Sequence, residues 1–488
     1  MVIQNNKNDI FNSFKWSYLA YIIPNLILPI LTIIVARTLS PSDYGIFSMN
    51  LIFVGALNTI QALGIRAFII KEKNFNESKK STLFYLSILL GICSYIIILI
   101  ISPLVSLFFN EKIINDTLPL LGLILIFNSF GIIHLSFLEK YFKFKQIFFV
   151  RILPLICVAS ITLPLALNGF GFKALIYGEM AKSLSLSVSY FLYHRWIPKF
   201  LFDFNYFKET INFGKWISFE RILEYFLGNI DKLFLGFFFS TSILGLYSLA
   251  RQIINILFGF ITGGIVPVLL PLLSSVSKNK PLMLRTIKAI FQNVIFLNFS
   301  LLFFIAIASI NMFEFVLPNW ENIGFYILIL SLGETAVRSI NSTRDIYKIN
   351  NKPKIYPKSL IFNVLFSLIL YPIGMHWFGL VGFFLLRIVN DCFYLLIQYF
   401  SVQKLINIAK LSLPNQILSA FSINCITFTI CYYIFTITKN NLNIYLEFLV
   451  EILLSISLFV VFQYLFNRKI LILFFNNFLK IVGIKTND

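Results

Sequence analysis

The chain has 488 residues, of which 58% are hydrophobic and only 12% charged, and its formal net charge is +19. Soluble domains carry about 25% charged residues, so this composition excludes a water-soluble globular protein. Since one span needs ~20 residues, the apolar content allows roughly fourteen spans. Lipid offers no hydrogen bonds to the backbone, so the sequence predicts an all-α polytopic membrane protein.

The apolar runs predict the following spans in chain order. They lie near residues 14–36, 45–69, 82–107, 118–138, 148–168, 173–193, 211–238, 244–272, 289–309, 323–345, 359–378, 379–403, 415–437 and 444–466. We group them into an N-terminal six-helix lobe (1–193), a C-terminal six-helix lobe (194–410), two additional helices (411–466) and a cytoplasmic interfacial tail (467–488).

The two lobes are inferred from a repeated motif. S-P-S-D-Y-G-I-F-S at 40–48 and S-T-S-I-L-G-L-Y-S at 240–248 share two Ser, a Gly, an aromatic residue and a final Ser. A weaker echo pairs the segment that begins at Gly171 with the one that begins at Gly379. The similar offsets favour an internal duplication. Six spans per copy predict pseudo-symmetric lobes in the same orientation, with a cavity between them.

Lys and Arg are unevenly divided between the predicted connections. Alternate connections on one side, together with both termini, hold 25 of them, and those on the other side hold 4. Because positive charge concentrates on the cytoplasmic side, this bias predicts that both termini are cytoplasmic. It also accounts for the basic net charge, so we expect no nucleic-acid partner.

The chain shows no signal for a cofactor. The connections are too short for a nucleotide-binding domain, and the sequence has no G-x-x-x-x-G-K-[ST] phosphate loop. The five Cys lie inside apolar runs, and the three His are scattered, so no metal site is predicted. Energy would then come from a gradient, a partner or the substrate's own concentration difference, with H⁺ and Na⁺ as the candidate coupling ions.

Ionisable residues inside the predicted spans cost ~2.5–3.5 kcal/mol each at the bilayer centre, so they require an explanation. They are Arg66, Glu179, Lys182, Lys215, Glu220, Arg221, Glu224, Asp231, Lys232, Arg251, Glu334, Arg338, Arg387 and Asp391. Several are helical neighbours that could neutralise each other between packed helices. Alternatively, they line a water-filled cavity that holds an anionic substrate, and the many charges in the seventh span favour this interpretation.

Three motifs together resemble a known family. They are V-A-R-T-L-S-P-S-D-Y-G-I-F-S at 35–48, L-G-I-R-A-F-I-I-K at 63–71, and Asp231-Lys232 followed by L-G-L-Y-S-L-A-R at 244–251. They are similar to bacterial polysaccharide-biosynthesis membrane proteins, the Wzx-type flippases of O-antigen and exopolysaccharide. These belong to the multidrug/oligosaccharidyl-lipid/polysaccharide (MOP) exporter superfamily.

The resemblance implies a MATE-like fold, alternating access and no enzymatic activity. The implied cargo is an undecaprenyl-pyrophosphate-linked oligosaccharide (O-antigen, capsule or exopolysaccharide), moved from the cytoplasmic to the outer leaflet of the bacterial inner membrane. Membrane lipids, a polysaccharide polymerase and chain-length proteins are the further implied partners.

The resemblance supplies no site motif, so the candidate residues rest on burial and charge. Cations of the lumen would suit a pyrophosphate, because Arg and Lys form charge-assisted contacts with phosphate oxygens. The candidates are Arg66, Lys215, Arg221, Lys232, Arg251, Arg338 and Arg387. Glu220, Glu224 and Asp231 are the candidates for ion coupling, since neighbouring carboxylates raise one another's pKa.

Two other classes of protein stay open. A multidrug antiporter or a lipid II flippase would share the fold, although an exporter of organic cations favours a lumen rich in carboxylates. A polytopic glycosyltransferase or O-antigen polymerase is a further alternative. Such enzymes need catalytic residues on a sizeable outer loop, whereas the outer carboxylates here lie on short loops.

Overall fold

The computed structural model describes residues 27–406, apart from 62–64, 73–74, 277–278, 310–311, 341–342, 351 and 353. Isolated positions within 16–24 and 422–461 are also described. The two predicted C-terminal helices (411–466) lie almost wholly outside these residues, and the tail (467–488) lies entirely outside them. The predicted count of fourteen spans and the lobe boundaries therefore stay predictions.

The described residues form helices and no β-strand. The first half contains α1 (Ile27–Thr38), α2 (Pro41–Gln61), α3 (Ile65–Lys71), α4 (Glu77–Phe109), α5 (Ile114–Lys140), α6 (Phe144–Cys157), a π-helical turn (Val158–Thr162), α7 (Leu163–Leu167) and α8 (Phe172–His194). The second contains α9 (Phe204–Leu227), α10 (Ile230–Phe238), α11 (Thr241–Val276), α12 (Lys280–Ala308), α13 (Met312–Val316), α14 (Ile323–Ile340), α15 (Thr343–Ile349) and α16 (Ile355–Ile406).

The chain folds into two compact units. Unit 1 comprises Met1–Leu249 and Leu317–Trp320, and unit 2 comprises Ala250–Val316 and Glu321–Asp488. In unit 1, α5 packs along both α4 and α8, and in unit 2, α14 packs against both α12 and α16. Because lipid is as apolar as the side chains, this packing is stabilised by close contact and interhelical hydrogen bonds rather than by exclusion of water.

Helix hydropathy separates two groups. Seven helical stretches of the described residues are long and apolar enough to cross a membrane. The helices α2, α8 and α9 are also at least 18 residues long but are not among them. This difference indicates that α2, α8 and α9 pack inside the protein or face water along part of their length.

The seventh predicted span is not one helix. It divides into α9 and α10 at Gly228 and Asn229, where the amide of Asn229 donates to the Tyr225 carbonyl oxygen at 2.9 Å. The Leu233 N–H in turn donates to the Asn229 carbonyl oxygen. The Asn229 side chain thus satisfies a carbonyl group at the end of α9, while its own carbonyl group accepts the first hydrogen bond of α10.

The repeated motif forms a close helix crossing within unit 1. A Cβ at Gly45 would overlap the Thr241 carbonyl oxygen, and a Cβ at Gly245 would overlap the Pro41 carbonyl oxygen. The hydroxyls of Ser42 and Thr241 lie 3.1 Å apart at the same crossing. The equivalent glycines of the two repeats therefore bring the first turns of α2 and α11 to backbone contact, which only a residue without Cβ permits.

The weaker echo also has a structural counterpart. Gly171 adopts φ 56° and ψ −136°, and Gly379, at the kink inside α16, adopts φ 60° and ψ −143°. This region of backbone space is open essentially to glycine alone. The shared conformation supports the alignment of the two segments.

The acidic residue of the first motif connects two parts of unit 1. The Asp43 carboxylate accepts hydrogen bonds from the Ser40 hydroxyl at 2.6 Å and from the Phe172 N–H, at the start of α8, at 2.9 Å. It therefore caps α2 and holds the turn before α8 in place. The second motif has Ile243 at this position, so it retains the serine cap but lacks the carboxylate.

We expect Gly245→Ala to destabilise the protein by about 1–3 kcal/mol, because the new methyl group forces two backbones apart. Gly259→Ala is the matched control in the same helix, since a Cβ there meets no atom within 4 Å. Thermal unfolding of the purified protein in detergent measures both. Equal melting temperatures for the two variants would contradict a glycine-dependent crossing.

Candidate functional site

Three arginine side chains of unit 2 converge on one carboxylate. Glu334 and Arg338 lie one turn apart on α14, and Arg338 Nε is 2.9 Å from Glu334 Oε2. Arg387 of α16 places Nη2 3.5 Å from Glu334 Oε1, and Arg251 of α11 places Nη2 3.9 Å from the same oxygen. We call these four residues, with Asp391, the Glu334 cluster.

Asp391 completes the cluster. Its Oδ2 lies 3.9 Å from Arg387 Nε, one turn earlier on α16. A Cβ at Gly333 would overlap this carboxylate, so the glycine beside Glu334 allows α14 and α16 to approach closely at this level. The five charged side chains are between 6% and 16% exposed.

Arg338 has two further contacts that fix its orientation. Its Nη2 donates to Asn255 Oδ1 at 2.5 Å, and its Cζ lies 5.1 Å from the centre of the Phe258 ring. Both residues belong to α11. A guanidinium held by a hydrogen bond, an ion pair and an aromatic face is pre-organised and loses little entropy when it binds an anion.

The cluster carries an excess of positive charge. Three guanidinium groups face two carboxylates, which leaves one net positive charge at low exposure. The guanidinium groups together carry roughly fifteen N–H donors, whereas the two carboxylates offer roughly eight lone-pair sites. Such a grouping of guanidinium groups suits an anion with several oxygens, because each guanidinium can donate two parallel N–H bonds to it.

The remaining predicted cations lie in unit 1, and each has a partner of its own. Arg66 forms a two-point ion pair with Glu139, with both N–O distances at 2.5 Å, and its side chain is 55% exposed. Arg221 Nη1 lies 3.1 Å from Glu224 Oε2 and is 58% exposed. The Arg221–Glu224 pair, which is the more exposed of the two, contributes ~0–1 kcal/mol.

The other unit 1 candidates are placed as follows. The exposed Lys215 donates to Asn212 Oδ1 at 3.1 Å. Asp231 is buried and accepts hydrogen bonds from the Tyr247 hydroxyl and from the Lys232 N–H. The side chain of Glu220 lies outside the described residues. The structure thus brings together three of the seven predicted cations, and the ion-coupling role of Glu220, Glu224 and Asp231 stays a prediction.

Sequence reasoning missed Glu139 and Asn255. The candidates were ionisable residues inside the predicted spans. Glu139 follows the fourth predicted span (118–138), and Asn255 is uncharged, so neither was a candidate. Only the helical spacing of Glu334 with Arg338 and of Arg387 with Asp391 gave a signal. Among the described residues, no group of three or more His, Cys, Asp and Glu side chains could hold a metal ion.

The family described as polysaccharide biosynthesis protein matches residues 34–323, which is more than half of the chain. The chain is 25% identical to the teichuronic acid biosynthesis protein TuaB of Bacillus subtilis (strain 168), over 40% of its own length and 41% of that protein. It is 22% identical to the lipopolysaccharide biosynthesis protein WzxC of Escherichia coli (strain K12), over 49% of each. The matches thus span less than half the length of either relative.

The fold is also that of solved transporters. Superposition on the lipid II flippase MurJ in an inward closed conformation gives a TM-score of 0.73 at 14% identity, over 96% of this chain and 100% of that one. A multidrug transporter of the MATE family, in the MOP superfamily, shares the fold. The expected MATE-like fold is therefore confirmed, and the protein is a multi-pass membrane protein.

Removal of the Glu334 charge leaves the three arginines of the cluster with Asp391 as its one remaining carboxylate. We expect Glu334→Gln to lower stability by about 3–5 kcal/mol, because it removes a buried carboxylate that three guanidinium groups share. Glu224→Gln makes the same chemical change in an exposed pair and should cost ~0–1 kcal/mol. Unfolding temperatures in detergent compare the two, and similar losses would mean that Glu334 does not hold the cluster together.

Proposed function

Because this chain belongs to the polysaccharide biosynthesis protein family, we propose that it is a flippase for undecaprenyl-pyrophosphate-linked oligosaccharide. The repeat unit of an O-antigen, capsule or exopolysaccharide moves from the cytoplasmic to the outer leaflet of the bacterial inner membrane. Movement occurs by alternating access, as the shared transporter fold suggests. The relatives TuaB and WzxC are biosynthesis proteins of teichuronic acid and lipopolysaccharide, which supports a glycan cargo.

The observation that carries the proposal is the convergence of three guanidinium groups on Glu334. The negative charge of a diphosphate group is spread over several oxygens, and each arginine can offer these oxygens two parallel N–H donors. Arg387 and Arg251 lie 3.5 Å and 3.9 Å from the carboxylate, farther than Arg338 at 2.9 Å. These two looser arginines are the ones that exchange Glu334 for the diphosphate, while Arg338 stays in place.

The shared carboxylate gives the site a means of release. With cargo absent, Glu334 neutralises part of the positive charge, so the three arginines do not repel one another at low exposure. With cargo bound, the diphosphate takes over this role and Glu334 competes for the same donors. A site with an internal competitor binds less tightly than three bare arginines would, which favours delivery to the opposite leaflet over permanent retention.

The proposed cycle requires no nucleotide. Its energy comes from a gradient of H⁺ or Na⁺, or from consumption of the cargo in the outer leaflet by a polymerase and chain-length proteins. We propose Glu220, Glu224 and Asp231 as coupling groups in unit 1. The protein itself then performs no bond-making chemistry and acts as a transporter rather than an enzyme.

Orientation is tested with reporter fusions. Reporters at residues 75, 200 and 353 should all be cytoplasmic, and a reporter at residue 240 should lie outside, because the Lys and Arg bias places the termini inside. The fusions require only a pair of reporters that are active on opposite sides of the membrane. A reversed pattern would contradict the proposed direction of transport.

Transport is tested in cells that lack the protein. We expect complete lipid-linked repeat units to accumulate in the inner leaflet, and the intact gene to restore surface polysaccharide. Arg251→Gln should fail to restore it despite normal membrane levels, since it removes a guanidinium from the cluster. Lys112→Gln, which removes an exposed charge from the turn between α4 and α5, should restore it fully.

The alternatives give different results in the same cells. Repeat units that reach the outer leaflet but do not lengthen would identify a polymerase. Normal polysaccharide with altered sensitivity to cationic drugs would identify a multidrug exporter. Loss of viability with accumulated lipid II would identify a lipid II flippase.

A further inference from the structure

Helix α8 of unit 1 has two exposed faces of opposite character. Tyr177, Leu184 and Val188 are 38%, 47% and 48% exposed and lie on one side of the helix. At 3.6 residues per turn, Glu179 and Lys182 lie about 160° and 140° around the helix from this apolar stripe. Their side chains are nevertheless 30% and 31% exposed and form an ion pair. The polar pair therefore belongs to a second exposed surface, away from the apolar one.

Two neighbouring helices add amide groups beside this surface, and the buried Ser183 hydroxyl of α8 links one of these amides to it. The Asn128 amide on α5 donates to Asn58 Oδ1 on α2 at 3.2 Å. The Ser183 hydroxyl on α8, one turn after Glu179, donates to Asn128 Oδ1 at 2.7 Å. Asn58 is the only exposed side chain in α2, all of whose residues are described. We call Asn58, Asn128, Glu179, Lys182 and Ser183 the amide face.

The amide face must meet water rather than acyl chains. Transfer of an amide without any partner into hydrocarbon costs ~4–8 kcal/mol. Asn58 accepts one hydrogen bond from Asn128, but the rest of its exposed amide would still incur part of this cost, which favours a position that faces water over one that faces lipid. Charged side chains at membrane depth likewise face the protein interior or a water-filled cavity. The low apolar character of α2 and α8, which are absent from the seven apolar stretches, agrees with this position.

The helix that packs on α8 is distorted beside the ion pair. The π-helical turn of Val158–Thr162 lies against Gly178, where a Cβ would overlap the Thr162 hydroxyl. At the next turn, Cys157 Sγ lies 3.3 Å from the Ser185 hydroxyl. Single π-turns inside α-helices occur frequently at functional sites, and this one contacts Gly178, the residue before Glu179.

The chemistry of the amide face differs from that of the Glu334 cluster. The charges of its one carboxylate and one ammonium group cancel. The carboxylate only accepts hydrogen bonds and the ammonium only donates them, whereas the two amides and the hydroxyl can do both. Sugar hydroxyls also donate and accept, and they carry no charge. We propose that the amide face binds the oligosaccharide part of the cargo, which rests on the proposed function.

The test uses two soluble probes on the purified full-length protein in detergent. One is the phosphate-free oligosaccharide released by mild acid from the lipid-linked intermediate of cells that produce the protein. The other is inorganic pyrophosphate. Binding of each is measured by equilibrium dialysis for the wild type, for Asn58→Ala, and for Asn168→Ala as control. Asn168 is an exposed amide whose side chain donates to the Pro164 carbonyl oxygen.

We expect Asn58→Ala to weaken oligosaccharide binding about three- to tenfold, the value of one hydrogen bond, and to leave pyrophosphate binding unchanged. Asn168→Ala should change neither. Glu179→Gln serves as a second variant and should also weaken oligosaccharide binding alone. Unaltered oligosaccharide binding in both variants would overturn the proposal, as would equal loss of both probes or no oligosaccharide binding by the wild type. Oligosaccharide binding without pyrophosphate binding would count against the diphosphate site alone.

Discussion

The structure depends on one constraint: charged and amide side chains are costly in a bilayer and must be partnered or face water. Unit 2 satisfies it at Glu334, where one carboxylate neutralises guanidinium groups from three helices. Unit 1 satisfies it with local pairs such as Arg66 with Glu139 and with an exposed polar face on α2, α5 and α8. The same partners that make these side chains tolerable also determine which ligands they can accept.

A lipid-linked oligosaccharide presents two chemistries at once. Its diphosphate is strongly charged, and guanidinium groups bind it through paired N–H donors. Its sugars are neutral and rich in hydroxyls, for which amide and carboxylate groups are suitable partners. We assign the first to the Glu334 cluster and the second to the amide face. Each surface thus has the chemistry of one part of the cargo, and only the diphosphate requires an excess of positive charge.

Much of the fold could be predicted from the sequence, because apolar runs and repeated motifs can be recognised in short stretches of the chain. The apolar runs predicted a helical membrane protein, and the repeated motif predicted equivalent positions for Gly45 and Gly245. The structure places these two glycines at one crossing. The break between α9 and α10 was missed, because hydropathy does not register the capping by Asn229 that allows the chain to turn.

The site could be predicted only in part, because its members meet through tertiary packing. Helical spacing indicated that Arg338 would pair with Glu334, and it does at 2.9 Å. No local pattern could show that Arg251 and Arg387 share that carboxylate, or that Asn255 contacts Arg338 across 83 residues of sequence. The ionisable residues inside the predicted spans therefore indicated which residue types form the site, but not which of them meet in space. For this reason Arg66 and Arg221 were candidates together with the arginines of the Glu334 cluster.

Flipping itself is tested most directly with the purified protein in lipid vesicles that contain the lipid-linked oligosaccharide in both leaflets. A membrane-impermeant reagent that oxidises sugars modifies only the outer leaflet of protein-free vesicles. The account predicts that vesicles with the protein lose the protected fraction as well, under a H⁺ gradient, a Na⁺ gradient or neither, and that Arg251→Gln abolishes this loss. A protected fraction that persists with the wild-type protein under all three conditions would contradict the assignment as a flippase.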